Sequence, residues 1–139
     1  MATRLPFIEF QEIYSKVPRL CLDLVVKNHQ GVLLTLRNIE PAKGFWHIPG
    51  GTLLYDESIE QAIQRIALDE LGTGVVVKRL LGFIDWFGTK QGLGRPVSLE
   101  FLVEPTGQIK IGSQASKFRF FKQIPVKTIK EHANFLQLD

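Results

Sequence analysis

The segment at residues 51–73 constrains the fold more than any other, because it specifies one helix with a defined beginning and end. Asp56 or Ser58 can cap the start of this helix, and Ser58 with Gln61 has the spacing of a capping box. Gly72 can adopt the left-handed conformation that ends many helices. Apolar residues recur at helical spacing between these ends, at Ile59, Ala62, Ile63, Ile66 and Leu71. The segment therefore predicts a long helix with one face in a hydrophobic core.

The polar face of the predicted helix carries a stripe of charged and polar residues. Members of this stripe recur every four residues, at Glu57, Gln61, Arg65 and Asp69. Glu70 places a second carboxylate beside Asp69, and Mg²⁺ prefers oxygen ligands of this kind. The Gly50–Gly51 pair lets the backbone approach closely, so the Gly50 carbonyl can join a metal site. Such stripes also occur on many solvated helices, which leaves an ordinary charged surface open as an alternative.

The chain before residue 50 predicts a helix and three strands. Residues 7–17 have apolar residues at helical spacing, and Pro18 ends that pattern. Strand-like segments follow, at residues 19–27 and 32–36 around a hairpin turn at 28–31, and at residues 45–48 after a loop at 41–44.

The chain after the long helix predicts three strands and a short closing helix. The strands lie at residues 75–87, 97–103 and 118–121, and the helix at residues 125–132. This order predicts an α/β fold, a mixed sheet with helices packed on it. A length of 139 residues fits a single domain over residues 1–139.

Composition limits the partners and the location of the protein. The 45% of apolar residues include no run near the ~20 that a membrane span needs, so we expect no membrane partner. A net charge of +3 with scattered Lys and Arg favours small anionic ligands over nucleic acid. The lone Cys21 has the pattern of a small buried hydrophobe, and the lack of disulfides favours a cytoplasmic location.

Residues 51–73 resemble the Nudix box, whose pattern is G-x5-E-x7-R-E-U-x-E-E-x-G-U with U a bulky aliphatic residue. Matching residues stand at every spacing, at Gly51, Glu57, Arg65, Glu70 and Gly72, and Asp69 replaces a usual glutamate conservatively. The stretch at residues 46–50 is similar to the family's lead-in of Trp, an aliphatic residue and Pro-Gly. The resemblance implies an α/β/α sandwich around a mixed sheet. It also implies an enzyme that uses Mg²⁺, or Mn²⁺, to hydrolyse a small nucleoside-diphosphate-linked substrate.

Ile66 departs from the box, because the family usually has a metal-binding glutamate directly after the arginine. The GDP-mannose mannosyl hydrolase branch shares this loss, and the likeness to that branch spans most of the chain. It implies that Glu70 and the Gly50 carbonyl hold Mg²⁺, that Arg37 contacts the diphosphate, and that Asp23 stabilises the reacting sugar. Family members often dimerise, so a homodimer is a further expectation. For Arg37 and Asp23, a solvent-facing or ion-paired surface role is the alternative.

The general base is not assigned, because the strand region that carries a Gln-His pair in that branch has no histidine here. Glu100 can supply an additional metal-binding carboxylate, and the alternative is an outward residue on a half-buried strand. His47 is a second candidate base, whose alternative is local hydrogen bonding. In the loop at residues 85–95, Trp86 or Phe87 could stack on a nucleobase or belong to the core, and Arg95 could meet phosphate.

Three functions fit these patterns. The first is Mg²⁺-dependent hydrolysis of a nucleotide sugar such as GDP-mannose, and the second is pyrophosphohydrolysis of ADP-ribose or nucleoside triphosphates. The third is an inactive nucleotide-binding or sensor domain, which the loss at Ile66 favours. The retained acidic residues of the box favour an enzyme.

Overall fold

The protein is described by a computed structural model, which covers residues 2–89 and 94–138. Three helices and eight strands lie in these residues. The elements are α1 (Phe7–Tyr14), β1 (Arg19–Val25), β2 (Lys27–Asn28), β3 (Gly31–Arg37), β4 (Trp46–His47), β5 (Gly50–Thr52), α2 (Ile59–Leu71), β6 (Val75–Asp85), β7 (Pro96–Pro105), β8 (Ala115–Phe121) and α3 (Lys130–Leu138). None of the helices in the described residues is long and apolar enough to cross a membrane.

The first sheet is mixed, with β1 and β7 at its centre. Its strand order is β5-β1-β7-β6, in which β1 runs parallel to β7 and antiparallel to β5. Leu22 and Leu24 point from β1 into a core that includes Ile63 and Ile66 of α2. Because side chains alternate along a strand, Asp23 lies on the opposite face of this sheet from α2. The packing of α2 therefore determines which face of β1 presents the carboxylate.

The second sheet is antiparallel and is built around β3. Strands β2 and β4 pair with β3 on one path, and β8 also pairs with β3. The predicted hairpin between residues 19–27 and 32–36 is wrong in its main part, because β1 pairs with β5 and β7. Only the two-residue β2 forms a hairpin with β3. The chain passes from one sheet to the other at Val26, whose carbonyl accepts from Leu33 N–H at 2.9 Å.

The helix ends follow local chemistry. Ser58 caps α2 with both hydrogen bonds of the capping box, and Gly72 ends the helix with a φ of 68°. The closing helix begins at Lys130 rather than Pro125, because residues 125–128 form a turn in which Thr128 Oγ1 donates to Pro125 O at 2.8 Å. It packs against the second core cluster, which contains Val25, Leu34 and Ile48.

Candidate functional site

An open cleft of about 950 Å³ lies along the edge of the mixed sheet, between α2 and the loop after β3. It contains most of the side chains and the glycine predicted for the site: Asp23, Arg37, Gly50, Arg65, Asp69 and Glu70. Glu57 and Glu100 do not line the cleft. The fold thus brings six of the eight predicted positions to one cavity.

Arg65, which lines the cleft, forms a bidentate ion pair with Glu57, which does not. Arg65 Nε donates to Glu57 Oε2 at 2.9 Å, and Arg65 Nη2 donates to Glu57 Oε1 at 2.6 Å. Arg65 Nη2 also donates to Thr52 O at 2.8 Å, while Leu54 N–H donates to Glu57 Oε1 at 2.9 Å. The hydrogen bonds from Arg65 hold the pKa of Glu57 below its usual value. The pair fixes the loop between β5 and α2 against the helix.

Asp69 and Glu70 place two carboxylates at the C-terminal end of α2. Asp69 Oδ2 lies 2.6 Å from Arg4 Nη2 and 3.7 Å from Arg65 Nη1. Burial and then the charge of Asp69 raise the pKa of Glu70, and Arg37 and Arg4 oppose that shift. Asp69 and the half-buried Glu70 carry like charges, and a bound cation would reduce the repulsion between them. Arg4 was not predicted for the site, and no sequence pattern marks it.

Gly50 lies opposite Asp23 in the pairing of β5 with β1. In an antiparallel pairing, hydrogen-bonded residue pairs alternate with non-hydrogen-bonded pairs. Leu24 N donates to Pro49 O at 2.8 Å and Leu53 N donates to Leu20 O at 3.0 Å, so Asp23–Gly50 is a non-hydrogen-bonded pair. The Gly50 carbonyl therefore points away from β1, toward the open edge of the sheet. A Cβ on Gly50 would collide with the Asp23 carboxylate, so only glycine fits beside it.

Ile66 fills the position where the family usually has a glutamate. Its side chain is 1% exposed and packs under Gly51, where an added Cβ would lie 3.1 Å from Ile66 Cγ1. Within residues 2–89 and 94–138, no three His, Cys, Asp or Glu side chains are grouped closely enough to hold a metal ion by themselves. A metal at Glu70 would therefore depend on a backbone carbonyl and on water, an arrangement that Mg²⁺ commonly accepts.

Glu100 is fully buried in β7 beside Asp23 of β1, which corrects the expectation of an outward side chain. Burial and then the charge of Asp23 raise the pKa of Glu100 well above its ordinary value. Neither Glu100 oxygen meets a donor among the described residues. A protonated Glu100 carboxyl accounts for the missing donor, because it can itself donate a hydrogen bond to Asp23.

His47 is enclosed by local hydrogen bonds. Its Nδ1 lies 2.9 Å from the Ile48 carbonyl, which requires Nδ1 to donate, and its Nε2 lies 3.0 Å from Thr35 Oγ1 and accepts. Burial lowers the pKa of His47 to about 3. The structure favours the local hydrogen-bonding alternative for His47, since both ring nitrogens are already engaged.

The other polar candidates have ordinary structural contacts. Arg37 Nε donates to Pro41 O at 2.7 Å, and burial lowers the pKa of Arg37 while Glu70 and Glu40 raise it. Its guanidinium is therefore held at the cleft, close enough to feel the charge of Glu70.

Trp86 belongs to a buried cluster, and its Nε1 donates to Ser98 Oγ at 2.9 Å. Phe87 is 76% exposed, and the Arg95 guanidinium lies 5.3 Å from the centre of its ring. Arg95 also pairs with Asp85 at 3.1 Å. The part of the predicted base-binding loop at residues 90–93 lies outside the described residues.

His132 of α3 is buried in the cleft wall and is the main site residue that the sequence reasoning did not predict. Its Nε2 lies 3.4 Å from Asp23 Oδ2, and its Nδ1 accepts from Ile48 N–H at 3.0 Å. The sequence analysis gave it no role, because its contacts are with residues that lie far away along the chain.

Comparisons with known proteins bear on the family. The low-salt glycan biosynthesis protein Agl8 of Haloferax volcanii is 41% identical over 85 residues, which are 61% of this chain and 54% of that protein. The ADP-ribose pyrophosphatase of Methanocaldococcus jannaschii is 30% identical over 105 residues, 75% of this chain and 62% of that protein. The chain thus spans less than two thirds of the length of either relative.

Solved structures share the fold. The MutT NUDIX hydrolase from Burkholderia pseudomallei has a TM-score of 0.76 at 22% identity, covering 88% of this chain and 98% of that one. An ADP-ribose pyrophosphatase from Streptococcus suis has a TM-score of 0.70 at 21% identity, covering 88% of this chain and 89% of that one. The NUDIX domain model itself matches residues 17–137. With the box, the cleft and the fold in agreement, the chain belongs to the NUDIX domain family.

Proposed function

We propose that this protein is a Mg²⁺-dependent hydrolase of a nucleoside-diphosphate-linked compound, with a nucleotide sugar such as GDP-mannose as its substrate. The observation that carries the proposal is the grouping of Glu70, Asp69 and the edge-facing Gly50 carbonyl in one cleft with the Arg37 guanidinium. Carboxylates and a carbonyl suit a hard divalent ion, and the nearby cation suits a phosphate.

Glu70, Asp69 and the Gly50 carbonyl would hold the ion, with water completing the shell; Mn²⁺ can substitute for Mg²⁺ at oxygen ligands. When bound, the ion neutralises the charge of the departing diphosphate. Arg37, which lines the same cleft, binds that diphosphate. Glu57 and Arg65 act on the loop rather than on substrate, because both are engaged with each other and with loop backbone.

We infer that Asp23 acts on the sugar. It lies in the cleft wall on the far side of Gly50, where a carboxylate can stabilise positive charge that develops at the anomeric carbon. Water oxygen bonds to that carbon and the water releases a proton to solvent, while the bond from carbon to the diphosphate oxygen breaks and the nucleoside diphosphate leaves with the electron pair. The buried Glu100 is assigned to support of Asp23, since it does not line the cleft, whereas the earlier prediction made it a metal ligand.

A second candidate is pyrophosphohydrolysis of ADP-ribose, which the names of the Methanocaldococcus jannaschii and Streptococcus suis proteins suggest. The name of the Haloferax volcanii protein, with its higher identity, concerns glycan biosynthesis and favours a sugar-linked substrate. An inactive nucleotide-binding domain is the third candidate, supported by the apolar Ile66.

A product-resolved assay in ¹⁸O-labelled water separates these candidates. GDP-mannose, GDP-glucose, ADP-ribose and nucleoside triphosphates are each incubated with the protein and Mg²⁺. Label in the released sugar supports attack at carbon, and label in a phosphate product supports pyrophosphohydrolysis. Absence of turnover with retained nucleotide binding would overturn the enzyme proposal.

Glu70→Gln tests the metal site in the same assay. We expect it to lose Mn²⁺ binding, measured by electron paramagnetic resonance, and to lose at least about a hundredfold in kcat, because the ion is the main source of charge stabilisation. Glu104→Gln is the matched control, since Glu104 pairs with Lys78 on the surface and does not line the cleft. Unchanged metal affinity in Glu70→Gln would remove Glu70 from the metal site.

We also propose that residues 1–139 form one NUDIX domain that acts in the cytoplasm as a homodimer. Light scattering after size-exclusion chromatography measures the mass, and a monomer at all concentrations would contradict the dimer.

A further inference from the structure

His132 connects α3 to two strands of the cleft through its two ring nitrogens. Its Nδ1 lies 3.0 Å from Ile48 N, and a backbone amide can only donate, so Nδ1 accepts and carries no proton. The ring proton of the neutral imidazole therefore resides on Nε2, which lies 3.4 Å from Asp23 Oδ2 in a contact that lacks hydrogen-bond geometry, so that Oδ2 has no hydrogen-bond partner among the described residues. The ring is 5% exposed, so its orientation is set by protein contacts.

The two partners of His132 belong to the two parts of the cleft that must be aligned. Ile48 precedes Gly50 by two residues, and Asp23 lies directly opposite Gly50 in the strand pairing. One imidazole thus fixes the backbone that leads to the Gly50 carbonyl and touches the carboxylate beside it. Trp86 holds the ring from another side, in an edge contact with centres 5.3 Å apart.

His47 provides an internal contrast. Its ring lies 6.3 Å from that of His132 and is comparably buried, yet its Nδ1 donates and its Nε2 accepts from Thr35. The two histidines therefore hold opposite tautomers. Only the tautomer of His132 presents an N–H to a carboxylate.

We propose that His132 is a positioning residue for Asp23: its Nε2–H lies against the carboxylate and orients it, while its Nδ1 anchors the segment between β4 and β5 that leads to Gly50. The proposal rests on the proposed function in one respect, the role of Asp23 at the sugar. His132 does not touch the reacting atoms; it acts through Asp23.

Two substitutions separate its two contacts. Asn at position 132 places an oxygen where Nδ1 was and keeps the acceptor for Ile48, but it is too short to reach Asp23. Gln places an amide donor near the position of Nε2 and loses the Ile48 acceptor. We expect His132→Asn to lower kcat about 10–100-fold with little change in KM, as supporting groups around reactive ligands often do, and His132→Gln to restore part of it.

Combination with Asp23→Asn distinguishes positioning from folding. We expect His132→Asn to cause no further loss of kcat in the Asp23→Asn background, because the carboxylate through which His132 acts is already absent. His47→Asn is the matched control, and its effect on kcat should be the same in both backgrounds. Equal losses from His132→Asn with and without Asp23→Asn would overturn the proposal, as would full activity of His132→Asn.

A measurement without substrate tests the tautomer itself. Nuclear magnetic resonance of the protein with ¹⁵N-labelled histidine should show the Nε2–H form for His132 and the Nδ1–H form for His47. Asp23→Asn should shift the His132 Nε2 signal and leave that of His47 nearly unchanged. An Nδ1–H form for His132 would overturn the proposal. Should the wild-type protein turn over no substrate, the proposed function fails while these spectra still decide the contact.

Discussion

The Arg65–Glu57 pair shows how a charged residue of the box acts on structure. Its side chains are 19% and 4% exposed, so little solvent screens the pair. Arg65→Lys keeps the charge but loses the fork that binds both carboxylate oxygens and Thr52. We expect the free energy of unfolding to fall by about 1–2 kcal/mol, in line with the loss of charge-assisted hydrogen bonds.

Urea unfolding measures this loss, and Lys78→Ala provides the comparison. Lys78 and Glu104 are 49% and 64% exposed, so breaking their pair should cost less than about 1 kcal/mol. A loss in Arg65→Lys no greater than that in Lys78→Ala would show that the fork adds nothing to stability.

Ile66→Glu restores the residue that the family usually has, at a position that is 1% exposed here. Burying a carboxylate in the α2 core should destabilise the protein by about 3 kcal/mol or more without metal. Because an ion that binds only the folded state stabilises it, Mg²⁺ should recover more stability in the variant than in the wild-type protein. Thermal unfolding with and without Mg²⁺ measures the difference, and equal Mg²⁺ effects would show that residue 66 does not face the ion.

At the scale of elements, α2 was predicted well because its signals are local. The capping residue, the apolar spacing and the final glycine all lie within the helix or next to it. The structure confirms the cap, the glycine and the burial of Ala62, Ile63, Ile66 and Leu71, but Ile59, the first residue of the helix, is 40% exposed and does not join the predicted buried face. The pairing of β1 was not predicted, because β1 meets β7, which lies far along the chain. The burial of Glu100 was missed for the same reason, since its partner Asp23 is on that distant strand.

Ser58→Ala tests the capping box. We expect it to reduce the free energy of unfolding by about 1 kcal/mol, because Gln61 N–H loses its partner. Ser58→Gly should reduce the free energy of unfolding by only about a few tenths of 1 kcal/mol. Urea unfolding of the two variants checks the order, and equal stability of Ser58→Ala and the wild-type protein would rule out a contribution from the cap.

At the scale of the whole molecule, the buried Glu100 couples stability to pH. Its pKa is raised in the folded protein relative to the ordinary value of 4.5. Below that value both folded and unfolded forms are protonated and the group costs nothing; above it the unfolded form ionises, and stability falls as pH rises. Glu100→Gln removes this dependence, so its stability relative to the wild-type protein should increase from about pH 5 upward.

Denaturant unfolding at several pH values measures this trend. Serine at position 98, also buried in β7, offers a control in Ser98→Ala, whose effect should not change with pH. A constant difference between Glu100→Gln and the wild-type protein across pH would show that Glu100 ionises normally.

The chain passes from one sheet to the other at Val26, so residues 19–37 set the distance between two charged groups of the cleft. Asp23 stands on the mixed sheet and Arg37 ends a strand of the antiparallel sheet, and the packing of Val25 and Leu34 between them sets how far apart their charged groups lie. We expect the cleft to prefer substrates in which the distance between the phosphate and the reacting atom matches the distance between these charged groups. Leu34→Ala should therefore change the ratio of kcat/KM between a diphosphate-linked and a monophosphate-linked sugar, and an unchanged ratio would mean that the two sheets do not measure that distance.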